Sequence, residues 1–98
     1  MSDVHVIVHG VDFVWNARKA QVNRQKHGLD FEQATEAFFD PFLRVVDASR
    51  NDEARDKLIG YDALNRLLAV VHIVLEADAI RIVSAWPATP AERELYDS

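Results

Sequence analysis

Four polar residues at helical spacing form the first candidate site in this sequence of 98 residues. Positions i, i+4, i+7 and i+8 share one face of an α-helix. In this chain those positions carry Lys19, Asn23, Lys26 and His27. Ammonium groups bind phosphate, and an imidazole carries a proton near neutral pH, so this face could handle a phosphoester. The same pattern is also typical of a solvated helix face, and both interpretations stay open.

Two further candidates combine charged residues with predicted strands. Glu53 and Arg55 are two residues apart just before a predicted strand, and such residues point to the same side. A carboxylate beside a guanidinium can act as a base next to a phosphate clamp, or form an exposed ion pair. Arg81 lies between apolar residues of another predicted strand, which indicates an exposed sheet face or a concavity that faces a ligand.

Several other chemistries lack the residues that they need. The sequence has no Cys, which excludes a thiol nucleophile and a Cys-based zinc site. His5 and His9 are four residues apart, but no second pair at metal-ligand spacing accompanies them, so no metal site is predicted. With 3 Gly and no glycine-rich phosphate loop, no nucleotide cofactor is predicted either. His72, inside an apolar run, is interpreted as a core or interface histidine.

Capping signals predict the helices that would position these residues. Asn16 and Asp30 are favourable N-cap residues for two N-terminal helices, the first of which ends at His27. Thr89 and Glu92 form a capping box at the start of a short C-terminal helix over residues 90–96.

Apolar and alternating runs predict the strands. One strand covers residues 11–15, and four more cover residues 42–46, 57–61, 66–75 and 79–86. Short turns join the last three, which predicts a curled antiparallel sheet of about four strands. In the last strand, regular alternation places Ser84 and Trp86 on one face and Arg81 on the other. The order of two helices, a sheet and a short helix predicts the α+β fold class.

Composition and charge restrict the classes of protein to which the whole chain can belong. A hydrophobic content of 49% excludes general disorder, and the length predicts a single domain over residues 1–98, with residues 1–10 as an N-terminal extension or edge strand. The sequence contains no membrane-spanning run and no visible secretory signal, so we expect a cytoplasmic protein. The net charge of −5 disfavours a general polyanion binder but allows a small basic site.

The sequence resembles the BrnT toxin family in a series of ordered motifs that run from about Phe13 to Tyr96. These motifs are Phe13-Val14-Trp15-Asn16, Asn23-Arg24-Gln25-Lys26-His27-Gly28-Leu29-Asp30-Phe31, Glu53-Ala54-Arg55, Ile80-Arg81-Ile82-Val83-Ser84-Ala85 and Glu92-Arg93-Glu94-Leu95-Tyr96. The resemblance implies a RelE-like fold and a bacterial type II toxin that cleaves RNA without a metal, by 2′-OH attack. It also implies a BrnA-type ribbon-helix-helix antitoxin as the partner. That antitoxin would neutralise the toxin and repress their shared operon, so the toxin would meet DNA only indirectly, and no membrane is involved.

The resemblance extends to individual residues. Lys26 and His27 match the Lys-His motif of the family, Glu53 and Arg55 match its Glu-x-Arg motif, and Arg81 matches a further Arg. The catalytic residues expected on this basis are Lys26, His27, Glu53 and Arg55, and the expected substrate-binding residues are Lys19, Asn23, Arg81 and Trp86. We further expect Lys19, Lys26, Arg55 and Arg81 to gather in one basic concavity.

Two residues depart from the family pattern. Trp86 stands where the family usually has Arg, and an indole can stack on a base but cannot neutralise a phosphate. Asn16 replaces an Asp and keeps the ability to cap a helix. Trp86 and the net negative charge therefore favour an alternative function: a catalytically weakened RelE-like module that binds its antitoxin and acts in operon repression.

Overall fold

Six β-strands and three α-helices make up the fold in a computed structural model that describes residues 2–98. The strands are β1 (Asp3–Val8), β2 (Val11–Asn16), β3 (Arg44–Asp47), β4 (Asp56–Tyr61), β5 (Leu67–Val74) and β6 (Ile80–Pro87). The helices are α1 (Ala17–His27), α2 (Phe31–Glu36) and α3 (Pro90–Asp97). None of these helices combines the length and the apolar character that a transmembrane span requires. The predicted α+β class is confirmed.

The strands form one mixed sheet in the order β1-β2-β6-β5-β4-β3. Strands β3 to β6 make the predicted antiparallel meander, whereas β2 runs parallel to β6, with Phe13 opposite Ile80 and Val14 opposite Arg81. The prediction of about four antiparallel strands is therefore wrong. The difference arises because the β1–β2 hairpin adds two strands through a pairing between distant parts of the chain, which no local pattern reveals.

The capping residues read from the sequence begin and end the helices. Asn16 Oδ1 accepts hydrogen bonds from the backbone amides of Arg18 and Lys19, each at 3.0 Å. Helix α1 ends at Gly28, whose φ of 68° is the left-handed conformation that glycine adopts without a Cβ clash. Asp30 and Thr89 each start a capping box, so the three helices begin where the sequence predicts.

The hydrophobic core lies between α2 and one face of the sheet. Its largest fully buried side chains include Phe13, Trp15, Phe31 and Leu68. His72 is buried in this layer, where its Nδ1 lies 3.2 Å from the Val70 carbonyl oxygen and its ring meets Phe38 edge to face. His72 is therefore a core histidine.

A β-bulge interrupts the regular alternation of β6. Val71 of β5 is opposite Ser84, and the next residue, His72, is opposite Ile82. Val83 is consequently an extra residue with no partner in the ladder between β5 and β6. Bulges of this kind re-aim the side chains that follow them.

The bulge overturns the face assignment made from the sequence. Ile82 and Ala85, three residues apart, are both buried in the core. Arg81, Ser84 and Trp86 are opposite alternate residues of β5 and therefore share the other face of the sheet. The prediction that Arg81 faces away from Ser84 and Trp86 is wrong, because it assumed an unbroken period of two.

Candidate functional site

A cavity of about 460 Å³ lies between α1 and β6. It is lined by Asn16, Arg18, Lys19, Val22, Asn23, Lys26, His27, Val83 and Ser84. Four of the predicted site residues, Lys19, Asn23, Lys26 and His27, are therefore together in it. Arg18, Lys19, Lys26 and His27 are exposed, and the lining residues include no carboxylate. The chemistry of this cavity is that of an anion site with a titratable imidazole.

Asn23 fixes α1 on β6. Its side chain is buried, and Oδ1 accepts hydrogen bonds from the Ala85 amide at 3.0 Å and the Ser84 hydroxyl at 3.2 Å. Its Nδ2 donates to the Leu29 carbonyl at 3.3 Å. These contacts set the distance between the helix cations and the sheet. Asn23 also lines the cavity, and its role in substrate binding stays a prediction.

Trp86 lies beside His27, and a buried carboxylate holds it there. The centroids of the two rings are 6.1 Å apart, with an interplanar angle of 46°. The indole Nε1 of Trp86 donates to Glu92 Oε1 at 3.0 Å, and Lys57 Nζ donates to Glu92 Oε2 at 2.8 Å. The indole orientation is thus determined by α3, which carries Glu92, and by β4, which carries Lys57.

Glu92 remains ionised in this environment. Burial raises the pKa of its carboxyl, but hydrogen bonds from Lys57, the Thr89 amide and Trp86 outweigh burial and lower the pKa below its ordinary value. Sequence reasoning identified Glu92 only as a helix-capping residue and did not identify Lys57 at all. The sequence of β4 contained one signal, a charged residue directly before the buried Leu58.

Glu53 and Arg55 lie outside the α1–β6 cavity. They follow a tight turn at Asn51 and Asp52, which have φ values of 52° and 66°. The Glu53 carboxylate accepts a hydrogen bond from Arg55 Nε, so the two charges form an ion pair. Neither residue is among those that line the cavity. Both side chains do point to the same side, as their spacing predicts.

Arg81 is also neutralised locally. Its guanidinium lies 3.1 Å from a carboxylate oxygen of Asp3 in β1, and this hydrogen bond lowers the pKa of the Asp3 carboxyl. Arg81 lines a different cavity, between β1, β2 and β6, that also contains Asp12. The expected concavity of four cations is therefore not formed as predicted: two of them share the α1–β6 cavity, while Arg55 and Arg81 each face a carboxylate.

Comparison with known proteins identifies the chain's relatives. The model of a family described as "Ribonuclease toxin, BrnT, of type II toxin-antitoxin system" matches residues 15–92, which include α1 and Glu92. The crystal structure of the Brucella abortus ribonuclease toxin, BrnT, is similar, with 28% sequence identity and a TM-score of 0.55. The match covers 76% of this chain and 92% of the Brucella chain. Comparison with curated proteins gives no match. The family model covers most of the chain, which therefore belongs to the BrnT ribonuclease toxins of type II toxin–antitoxin systems.

Proposed function

We propose that this protein is an endoribonuclease toxin whose active site is the α1–β6 cavity. One observation carries the proposal: on a chain with a net charge of −5, the cavity is lined by Arg18, Lys19, Lys26 and His27 and by no carboxylate. A cavity of this sign attracts a polyanion to one place on an otherwise acidic molecule.

The proposed reaction is attack of a ribose 2′-oxygen on the adjacent phosphorus. The new bond joins the 2′-oxygen to phosphorus, the bond to the 5′-oxygen breaks, and the products carry a 2′,3′-cyclic phosphate and a 5′-hydroxyl. His27, exposed in the cavity, moves a proton in this scheme. Lys19 and Lys26 stabilise the charge of the phosphorane. The scheme requires no metal or cofactor.

Residues outside the cavity have supporting roles in the proposed reaction. Glu53 is the alternative base, and Arg55 and Arg81 would contact phosphates farther along the RNA. Each of these arginines must exchange a carboxylate for a phosphate when RNA binds, because Glu53 and Asp3 pair with them in the free protein. Trp86 stacks on a base next to His27, with its ring held by the hydrogen bond to Glu92.

The proposal includes the partner implied by the family. A type II toxin has an antitoxin, and we propose a BrnA-type ribbon-helix-helix protein that neutralises the toxin in the cytoplasm and binds their operon DNA. The two helices that precede the antiparallel strands β3 to β6, and the terminal helix that follows them, support the RelE-like assignment of the fold.

A second function is favoured by the ion pairs of Arg55 and Arg81. With both arginines neutralised and Trp86 in place of an arginine, the chain would be a weak enzyme that serves as a binding module for its antitoxin. This alternative predicts tight antitoxin binding without RNA decay.

Inducible expression without antitoxin distinguishes the two functions. We expect growth arrest and RNA decay with the natural sequence, and relief of both by His27→Ala and by Arg55→Ala. Arg24→Ala is the matched control, because Arg24 lies on α1 but pairs with Asp30 outside the cavity. Undiminished toxicity in the His27 and Arg55 variants contradicts the site assignment, and normal growth with intact RNA favours the binding module.

A further inference from the structure

A second cavity adjoins the α1–β6 cavity on the far side of His27. It has a volume of about 370 Å³, and Asn65, Arg66, Pro87 and Arg93 are among its lining residues. His27 lines both cavities and therefore lies at their junction. Pro87 directly follows Trp86, whose ring lies beside His27 at the same junction.

The second cavity is lined by cations, as the first is. Arg66 and Arg93 contribute guanidinium groups, and its lining residues include no carboxylate. Two other cavities within residues 2–98 do contain acids: Glu36, Asp40 and Asp62 line one, and Asp12 lines the other. Together the two cavities contain a set of basic side chains, here called the basic strip: Arg18, Lys19, Lys26, His27, Arg66 and Arg93.

Arg93 is the residue of the second cavity that is most available to a ligand. It is exposed on α3, and its Nη1 donates to the Tyr61 hydroxyl at 3.3 Å. It takes part in none of the ion pairs found within residues 2–98. Arg66, in contrast, pairs with the buried Asp62 carboxylate, although its own side chain is 41% exposed.

We infer that the second cavity is a subsite for the RNA nucleotide that flanks the scissile phosphate. A single strand would run along the basic strip, from the α1–β6 cavity past His27, so that Arg93 and the exposed edge of Arg66 contact the next phosphate. A strand is favoured over a mononucleotide because cations line both sides of His27 rather than one. The inference rests on the proposed ribonuclease function, and it adds Arg66, which directly precedes β5, and Arg93 of α3 to the RNA-binding surface.

Binding of a single-stranded 2′-O-methyl RNA oligonucleotide tests the subsite without cleavage, because the attacking hydroxyl is blocked. We expect Arg93→Gln to weaken binding roughly tenfold, the effect of losing one charge-assisted hydrogen bond. The slope of log affinity against log salt should also become shallower by about 0.7, the value for one phosphate of a single strand. Arg24→Gln removes the same charge from outside the basic strip and should leave both quantities unchanged.

Cleavage assays separate the subsite from the proposed function. Arg93→Gln should slow cleavage of a long RNA and leave a dinucleotide with a single phosphate unaffected. Equal RNA affinity of the Arg93→Gln and Arg24→Gln variants overturns the subsite, even if the protein cleaves RNA. If Arg93→Gln weakens antitoxin binding but not RNA binding, the second cavity is a protein-binding surface, which also overturns it. If Arg93→Gln loses RNA binding but the natural sequence does not cleave RNA, the subsite is supported and the ribonuclease function is contradicted.

Discussion

The buried side chains of Asn23, His72 and Glu92 each have a polar contact, as burial in an apolar core requires. Asn23 and Glu92 bind groups on β6, and His72 contacts a carbonyl oxygen of its own strand. The first two are therefore part of the site, whereas His72 contributes only to the core. This contrast gives His72 a different use, as a probe of stability that does not disturb the site.

Protonation of His72 should couple the stability of the fold to pH. Burial lowers the pKa of His72 below its ordinary value of 6.5, although the Val70 carbonyl and Asp56 oppose the shift. The unfolded chain therefore takes up a proton at this position at a higher pH than the folded chain does. It follows that the free energy of unfolding falls as the pH drops from 6.5 towards the folded-state pKa, and that this contribution is constant above 6.5.

His72→Phe should remove this part of the pH dependence. Phenylalanine retains the edge-to-face contact with Phe38 but cannot titrate. Urea unfolding between about pH 7.5 and pH 5.5 measures the effect, since the shifted carboxyls of Asp40 and Glu92 titrate at lower pH. An equally steep fall in stability in the variant would show that another group is responsible.

One carboxylate of helix α3 binds two strands of the sheet. Glu92 accepts hydrogen bonds from Lys57 of β4 and Trp86 of β6, in addition to capping its own helix through the Thr89 amide. A single side chain therefore joins three elements, and the orientation of the Trp86 ring depends on the docking of α3.

Glu92→Gln should loosen this attachment. Glutamine retains acceptors for Trp86 and Thr89 but loses the charge that Lys57 requires, at a cost of about 1–3 kcal/mol in the free energy of unfolding. Urea unfolding gives the stability, and Trp86 fluorescence reports the environment of the ring. Glu94→Gln, on the exposed side of α3, is the control, and equal behaviour of the two variants argues against the role of Glu92.

Helices were more predictable from the sequence than the sheet was. Caps such as Asn16 and Thr89 act within one helical turn, so local sequence reveals them. The parallel pairing of β2 with β6 and the bulge at Val83 depend on residues far away in the chain, and β6 looks regular on its own. The residues of the site differ in the same way. Lys26 and His27 lie together on α1, as predicted, whereas Arg93 lines a cavity with His27 only because of tertiary packing.

Charge is distributed unevenly over the whole molecule. The chain has 16 acidic residues against 11 Lys and Arg, yet no carboxylate lines either cavity of the basic strip. Acids pair with Arg55 and Arg81 outside the strip, and within the strip Asp62 pairs with Arg66. RNA affinity should therefore depend on the location of an acidic residue, and not only on the net charge.

Asp3→Asn should strengthen RNA binding by freeing Arg81. The expected gain is roughly two- to fivefold at low salt and should disappear at about 200 mM salt, because the pair is partly exposed. Fluorescence anisotropy with non-cleavable RNA measures it. Asp12→Asn is the control, because it changes the net charge by the same amount. Asp12 lines the same cavity as Arg81 but is not an ion-pair partner of Arg81. An identical gain in both variants would mean that only net charge matters.

The parallel pairing of β2 with β6 also determines when the proposed active site can exist. Its partners Phe13 and Ile80 lie near opposite ends of the chain, and closing so long a loop slows folding. Since the ribosome makes the N-terminal part first, α1 is synthesised well before β6 and Glu92. A nascent or truncated chain thus carries Lys26 and His27 without the strand that completes their cavity. Under the proposed function, RNA cleavage would therefore begin only when translation of the toxin has almost finished.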